Sequence, residues 1–188
     1  MKRFLLFSIV AWYITVSCYC QIDWKNFMSQ QDMIWTRLPQ TWYEAPFMGN
    51  GSMGTYICKE PGKNAIRIDV GNSMVHDHRT NDRGVYGRCR LLIGYFLLHP
   101  AGEIKSGDMR LDLWNAETTG CIRTTLGEIK LKAYVTSESP YIVVEAEATE
   151  GEKDFTWKFY PENTDSPRQL NAIQRNNKKH LKKGYVSN

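Results

Sequence analysis

From residue 52 onward, apolar and polar side chains alternate with a period of two, and turn residues interrupt the pattern about every ten positions. Ser52–Lys59 reads as a strand, Pro61-Gly62-Lys63-Asn64 as a turn, and Ala65–Val70 as a strand with Ile66, Ile68 and Val70 on one face. Arg90–His99 is an aromatic and aliphatic strand ended by Pro100 and Gly102. Met109, Leu111 and Leu113 alternate with Arg110, Asp112 and Trp114. Cys121–Leu126 is expected to pair with Glu128–Val135 through a turn at Gly127, with Ile129, Leu131, Ala133 and Val135 facing inward. Tyr141–Ala148 and Phe155–Tyr160 follow, joined around Thr149-Glu150-Gly151-Glu152. Short strands in this rhythm, with no long helical stripe, predict an all-β fold, an antiparallel β-sandwich whose two sheets bury one another.

Residues 21–48 break the pattern. Asp23 to Trp35 suits a short irregular helix, after which Leu38-Pro39 and Ala45-Pro46 force extended backbone. Trp24, Trp35 and Trp42 in such a stretch are expected to pack on a sandwich edge or a neighbouring domain.

The N-terminus changes the picture of location. Met1-Lys2-Arg3 is a short positive region, and Phe4–Val16 is an apolar run of about a dozen residues, the length of a signal-peptide core. Residues 1–20 are therefore expected to be a signal peptide for export to the periplasm or exterior, with cleavage after Cys20 leaving Gln21 first. The rival is an imperfect lipobox, Thr15-Val16-Ser17-Cys18, in which Cys18 would carry lipid and bring the protein to a membrane. A retained anchor is the third alternative.

Composition then narrows the function. Six Trp, ten Tyr and seven Phe exclude disorder throughout. The net charge of +4 sits at the ends: Lys2 and Arg3 carry +2, residues 165–188 carry +5, and residues 21–164 carry −3. A mildly acidic body gives no basis for nucleic-acid binding. Cys58, Cys89 and Cys121 allow at most one disulfide and form no CxxC pair, so buried free thiols are expected.

Gly49-Asn50-Gly51-Ser52-Met53-Gly54 matches the dinucleotide pattern GxGxxG, but Pro46 precedes it and Thr55-Tyr56-Ile57 follows, so the strand-to-helix context is missing. It reads as a tight glycine loop entering a strand, and it also contains an Asn-Gly-Ser sequon. His76-Asp77-His78-Arg79 is the most polar cluster; it would suit metal ligation, a cleft-lining loop or plain solvated hydrogen bonding. Its ligand count is short of a closed zinc site, and neither a metal nor a cofactor is expected. Glu44, Asp69, Asp77 and Asp108 are available carboxylates, yet spacing links no two of them as a glycosidase pair. No GxSxG elbow, HExxH helix or P-loop is present.

The run Trp42-Tyr43-Glu44-Ala45-Pro46-Phe47-Met48-Gly49-Asn50-Gly51-Ser52-Met53-Gly54 resembles the opening of family 95 glycoside hydrolases, where a Trp, then Glu-Ala, precedes a Gly-Asn-Gly-x-x-Gly loop. Ala65–Asn72 is similar to the segment where relatives carry Leu-Asn-Glu and then Trp; here Val70-Gly71-Asn72 and His76–Arg79 depart from it. The resemblance spans about residues 35–165 and implies either a divergent branch or a neighbouring family with the same front domain. It further implies an N-terminal β-sandwich at 21–164 that packs on an (α/α)6 catalytic barrel, in inverting enzymes acting on α-L-fucosides or α-L-galactosides. The catalytic groups of such enzymes lie in the barrel, so no catalytic residue carries over; Gly49, Asn50, Gly51, His76, Asp77, His78 and Arg79 are candidates for a substrate cleft or domain interface. The basic, polar residues 165–188 read as a disordered tail or a truncation product. The alternative is a freestanding carbohydrate-binding module, with Trp42, Trp114 and Trp157 as a sugar-stacking platform; a small self-sufficient glycosidase is the third.

Overall fold

The computed structural model describes residues 22–76, 90–162 and 174–175. Packing divides the chain into residues 1–31 and 32–188. In the first part, helix α1 (Trp24–Ser29) is one and a half turns long, too short to be stable on propensity alone. Asp23 caps it by accepting from the Asn26 N–H at 3.1 Å, and Trp24 and Phe27 meet edge to face. The irregular helix expected between Asp23 and Trp35 is thus shorter, and its C-terminal part is a strand instead.

In the second part the strands, in chain order, are β1 (Met33–Trp35), β2 (Phe47–Gly49), β3 (Met53–Lys59), β4 (Ile66–His76) and β5 (Arg90–His99). They continue with β6 (Ile104–Asp112), β7 (Glu117–Thr124), β8 (Glu128–Val135), β9 (Ile142–Ala148) and β10 (Thr156–Pro161). Two five-stranded antiparallel sheets result, one ordered β1-β6-β7-β8-β9 and the other β10-β5-β4-β3-β2. We call them the β7 sheet and the β4 sheet after their central strands.

The expected all-β sandwich is the observed architecture. Ile57, Ile66, Ile68 and Leu98 from the β4 sheet meet Met109, Ile122, Ile129, Leu131 and Ala133 from the β7 sheet, and all are buried. Each is worth about 1.5–3 kcal/mol of transfer free energy for the larger side chains. The expected hairpin of Cys121–Leu126 with Glu128–Val135 forms as β7–β8, the pairing extending back to Glu117. The alternation at Met109 continues only to Asp112, because Leu113–Ala116 form the turn into β7.

Two strands escaped the periodicity. β1 and β2 have three residues each, too few to establish a period, and exist through their partners: Met33–Trp35 pairs with Met109–Leu111, and Phe47–Gly49 with Gly54–Tyr56. Asp32 holds the first of these edges. Its nearly buried carboxylate accepts from Arg110 Nε at 2.8 Å and from the Leu113 N–H at 2.9 Å. Between the two strands, Pro39 and Pro46 are buried and Trp42–Glu44 form one turn of 3-10 helix.

Glu152 is the other structural surprise. It lies in a short 3-10 turn (Glu150–Glu152) and is fully buried. Its carboxylate accepts from the Ala101 and Gly102 N–H groups at 2.8 and 2.9 Å and from the Thr124 hydroxyl. One side chain thereby ties the β5–β6 turn to the β7–β8 turn, and those hydrogen bonds to a charged acceptor offset the cost of burying it.

Candidate functional site

The glycine loop sits between β2 and β3, and each of its defining residues has a mechanical reason. Asn50 Oδ1 accepts from the Ser52 and Met53 N–H groups at 2.9 and 2.8 Å, an Asx turn that closes the loop. Gly51 follows at φ +87°, a conformation side-chain-bearing residues adopt only at a cost. An added Cβ at Gly49 would meet the Met53 carbonyl oxygen at 2.9 Å, and one at Gly54 would meet the Phe47 ring at 3.1 Å. Gly49 thus lets the two strands close on the loop, and Gly54 is the bed on which Phe47 rests.

Asn50 also reaches the other sheet. Its Nδ2 donates to the Thr136 carbonyl at 2.8 Å and to the Ser139 carbonyl at 3.3 Å, in the connection from β8 to β9. A glycan attached to this sequon nitrogen would displace those bonds. The motif is a structural joint, in a strand-to-strand setting that offers no helix N-terminus to a pyrophosphate.

Behind the loop, the outward face of the β4 sheet carries a row of side chains in register. Phe47 on β2 pairs with Tyr56 on β3, Asp69 on β4 with Tyr95 on β5, and Tyr95 with Tyr160 on β10. Tyr56 closes the row by hydrogen bonding to Asp69. Arg67 locks its centre: Nε and Nη2 bind the two Asp69 oxygens at 2.7 and 3.0 Å, and the guanidinium lies 3.6 Å over the Tyr95 ring. Tyr95 and Tyr160 stack at 5.3 Å. Asp69 is only 2% exposed. Burial, and then the hydrogen bond and charge of Asp69, push the Tyr56 hydroxyl above its ordinary value. Burial, and then the charge of Asp69, raise the Cys58 thiol to about 12, which leaves it a buried, unreactive side chain.

A cleft of about 370 Å³ opens where the loop meets this row. Phe47, Tyr56, Asp69, Asn72, Arg90 and Leu92 are among the residues around it. β4 runs past Val70, further than expected, and its Ser73 N–H donates to the Ser52 carbonyl at 2.7 Å, so the far half of β4 forms one wall. Gly49 and Gly51 line the cleft, with Asn50 as its hinge. His76 lies at the end of β4, opposite Arg90, and is not among the lining residues; its Nδ1 is 3.2 Å from the Met74 carbonyl. Asp77, His78 and Arg79 lie outside the described residues, as do Cys89, the segment 1–20 and nearly all of 165–188.

The candidate carboxylates do not converge. Asp69 projects from the outer face of the β4 sheet. Asp108 projects from the outer face of the β7 sheet, where it is bound by Arg123 at 2.7 Å. The two therefore lie on opposite sides of a sandwich whose sheets pack about 10 Å apart. Glu44 accepts from the Gln40 N–H and from Arg37 Nη2 at 3.0 Å, which fastens the proline-bounded crossover before β2. The Gln40 N–H, acting against desolvation, and then the Arg37 charge hold its carboxyl below the usual range. Nor do Trp42, Trp114 and Trp157 form a platform. All three are exposed, but Trp42 adjoins the β2–β3 edge of the β4 sheet, Trp157 is on β10 at the opposite edge, and Trp114 is in the β6–β7 turn. Four strand spacings put those two edges about 19 Å apart. Among the described residues, no three His, Cys, Asp or Glu side chains converge to hold a metal ion. None of the described helices is long and apolar enough to cross a membrane.

No family model matches the chain, and no curated protein or solved structure is significantly similar to it.

Proposed function

We propose that this chain is an exported, non-catalytic β-sandwich of a glycan-degrading system, the counterpart of the front domain of family 95-type α-L-fucosidases, working against an (α/α)6 catalytic barrel. The observation that carries the proposal is the apolar rim of the glycine loop. Trp42, Tyr43 and Phe47 are 67, 73 and 64% exposed, and all three belong to the segment that resembles that family. Met74 and Leu92, on the neighbouring strands, are exposed as well. Large exposed apolar side chains on and beside the glycine loop mark a contact surface. The loop beneath them is stiffened by Asn50 and Phe47, so the rim is a rigid docking edge that loses little conformational entropy on contact.

A stacking platform for free sugar is less well supported on this face. Arg67 already covers Tyr95, Tyr160 stacks on the same ring, and the Tyr56 hydroxyl is bonded to Asp69. Chemistry within the chain is also less well supported, since the described carboxylates are each held by an arginine or lie on opposite faces.

The test is hydrolysis of p-nitrophenyl α-L-fucoside and α-L-galactoside by the purified chain, alone and with a separately produced family 95 barrel freed of its own front domain. Expected are no turnover by the chain alone, and stabilisation of the barrel that is lost in Phe47→Ser. Turnover by the chain alone contradicts the proposal. Saturable glycan binding without any barrel would move the assignment to a carbohydrate-binding module.

A further inference from the structure

The two sheets are unequal in reach. One inward row of the β4 sheet runs Ile57, Ile68, Phe96 and Phe159 across β3, β4, β5 and β10, and their exposures are 1, 1, 39 and 42%. The next row repeats the trend: Ile66 and Leu98 are buried, while Trp157 is 39% exposed. Burial fails at Phe96 on β5 and along β10 because the β7 sheet ends too early. Its last strand among the described residues, β9, packs over β3, leaving Phe96 on β5 and the inner face of β10 overhanging. Under the overhang lies an apolar groove of about 380 Å³, walled by Val70, Phe96 and Trp157 on one side and Tyr141, Ile142 and Val144 on the other.

We infer that this groove and the free edge of β9 form a strand-acceptor site for an extended partner segment that alternates apolar and basic side chains. Such a segment would add to β9 through main-chain hydrogen bonds, and its apolar side chains would cover Phe96, Trp157 and Phe159. The overhang of two strands is about 10 Å wide, room for one or two added strands. The basic character follows from the outward face of the β7 sheet. There Glu117 on β7 binds Lys132 on β8 at 2.8 Å, and Lys132 and Lys130 stand opposite Glu145 and Glu147 on β9. From β8 to β9 the sign changes from Lys130 and Lys132 to Glu147 and Glu145, and these two exposed carboxylates are the outermost charges in their rows among the described residues. A cation is the complement on the next strand. A second copy of the chain is disfavoured by the same charges, because β9 against β9 sets carboxylates beside carboxylates.

Met53 of the glycine loop borders this groove, but the site rests on β9 and on the inner face of the β4 sheet and is tested without any barrel, so its failure and that of the proposed hydrolase partnership are distinguishable. The probe is a fluorescently labelled heptapeptide of alternating valine and lysine, as long as β9, titrated into the full chain by anisotropy. A heptapeptide of alternating valine and glutamate, and one of the first composition in blocks, serve as controls. The lysine peptide is expected to bind about tenfold more tightly than either control, the size of two cross-strand charge pairs. The double variant Glu145→Lys, Glu147→Lys, at two exposed positions, is expected to reverse the order of the lysine and glutamate peptides. Trp157→Lys is expected to weaken binding about tenfold by placing a charge in the groove. Equal binding of alternating and blocked peptides, or an order unchanged by the double variant, overturns the inference. So does sedimentation of the chain alone as a dimer that Trp157→Lys dissociates, which would assign the groove to a second copy.

Discussion

The outer faces of the two sheets are built on opposite principles. On the β7 sheet, Arg123 sits between Asp108 and Glu128, Lys132 binds Glu117, and every one of these groups retains contact with solvent. On the β4 sheet, Arg67 and Asp69 are taken largely out of water among three tyrosines, with Glu60 and Glu162 each 3.5 Å from the same guanidinium. The first arrangement is a solvated lattice, in which any one pair is worth about 0–1 kcal/mol. The second is a partly buried cluster around one guanidinium, where the bidentate Arg67–Asp69 pair is the tightest contact and loss of either partner is costly. A sheet that faces only water does not need the second arrangement. The difference accords with the proposed contact of the β4 sheet with a catalytic barrel.

The largest expected effect separates these two faces directly. Asp69→Ala leaves Arg67 without its bidentate partner and is expected to destabilise the fold by about 3–5 kcal/mol, read as a shift of the urea midpoint at unchanged slope. The triple change Arg67→Met, Asp69→Leu, Glu60→Gln is expected to cost less than Asp69→Ala alone, because it removes the guanidinium together with the two most buried carboxylates that face it. Asn50→Ala removes two hydrogen bonds within the glycine loop and two to the opposite sheet, and about 2–4 kcal/mol is expected. Thermal unfolding would show it, and a loss smaller than that of Lys132→Ala would end the account of Asn50 as a joint.

Proton linkage gives a further contrast. Cys58 keeps its proton in the folded state to about 12, against an ordinary thiol value of 9.0. Between those values the unfolded chain binds fewer protons than the folded one. Stability is therefore complete below pH 9.0 and falls as pH rises toward 12. Urea midpoints at pH 8 and at about pH 11 test this, and Cys58→Ala should flatten the dependence. Cys121, on the exposed face of the β7 sheet, is raised by burial as well but remains half-buried. It should react with a thiol reagent well before Cys58. The smallest effect belongs to the solvated lattice: Lys132→Ala is expected to cost less than about 1 kcal/mol.

The same contrast governs what could be read from sequence. β8, Glu-Ile-Lys-Leu-Lys-Ala-Tyr-Val, alternates cleanly because one face meets the core and the other water. β5, Arg-Leu-Leu-Ile-Gly-Tyr-Phe-Leu-Leu-His, shows nearly continuous apolar character because both faces are covered in part, so its pattern announces a strand without saying which residues face where. Ala65–Val70 correctly separated Ile66 and Ile68 from Arg67 and Asp69. That Tyr95 and Tyr160 complete the Arg67 site depends on register across three strands, which no local pattern encodes. Tyr141–Ala148 and Phe155–Tyr160 were legible as strands, yet they belong to different sheets, a matter of tertiary packing alone. The glycine loop was legible because Asn-Gly turn chemistry is local. Phe47 lying over its glycines was not, and neither was the burial of Glu152 in what reads as a polar turn.

Hydrogen exchange on the chain, alone and titrated with the family 95 barrel described above, tests the central claim most directly. The account predicts new protection confined to residues 42–56 and to the β4 sheet, with the peptides of β7 and β8 unchanged. Protection on the solvated face of β7 and β8, or no protection anywhere at saturating barrel, would contradict it.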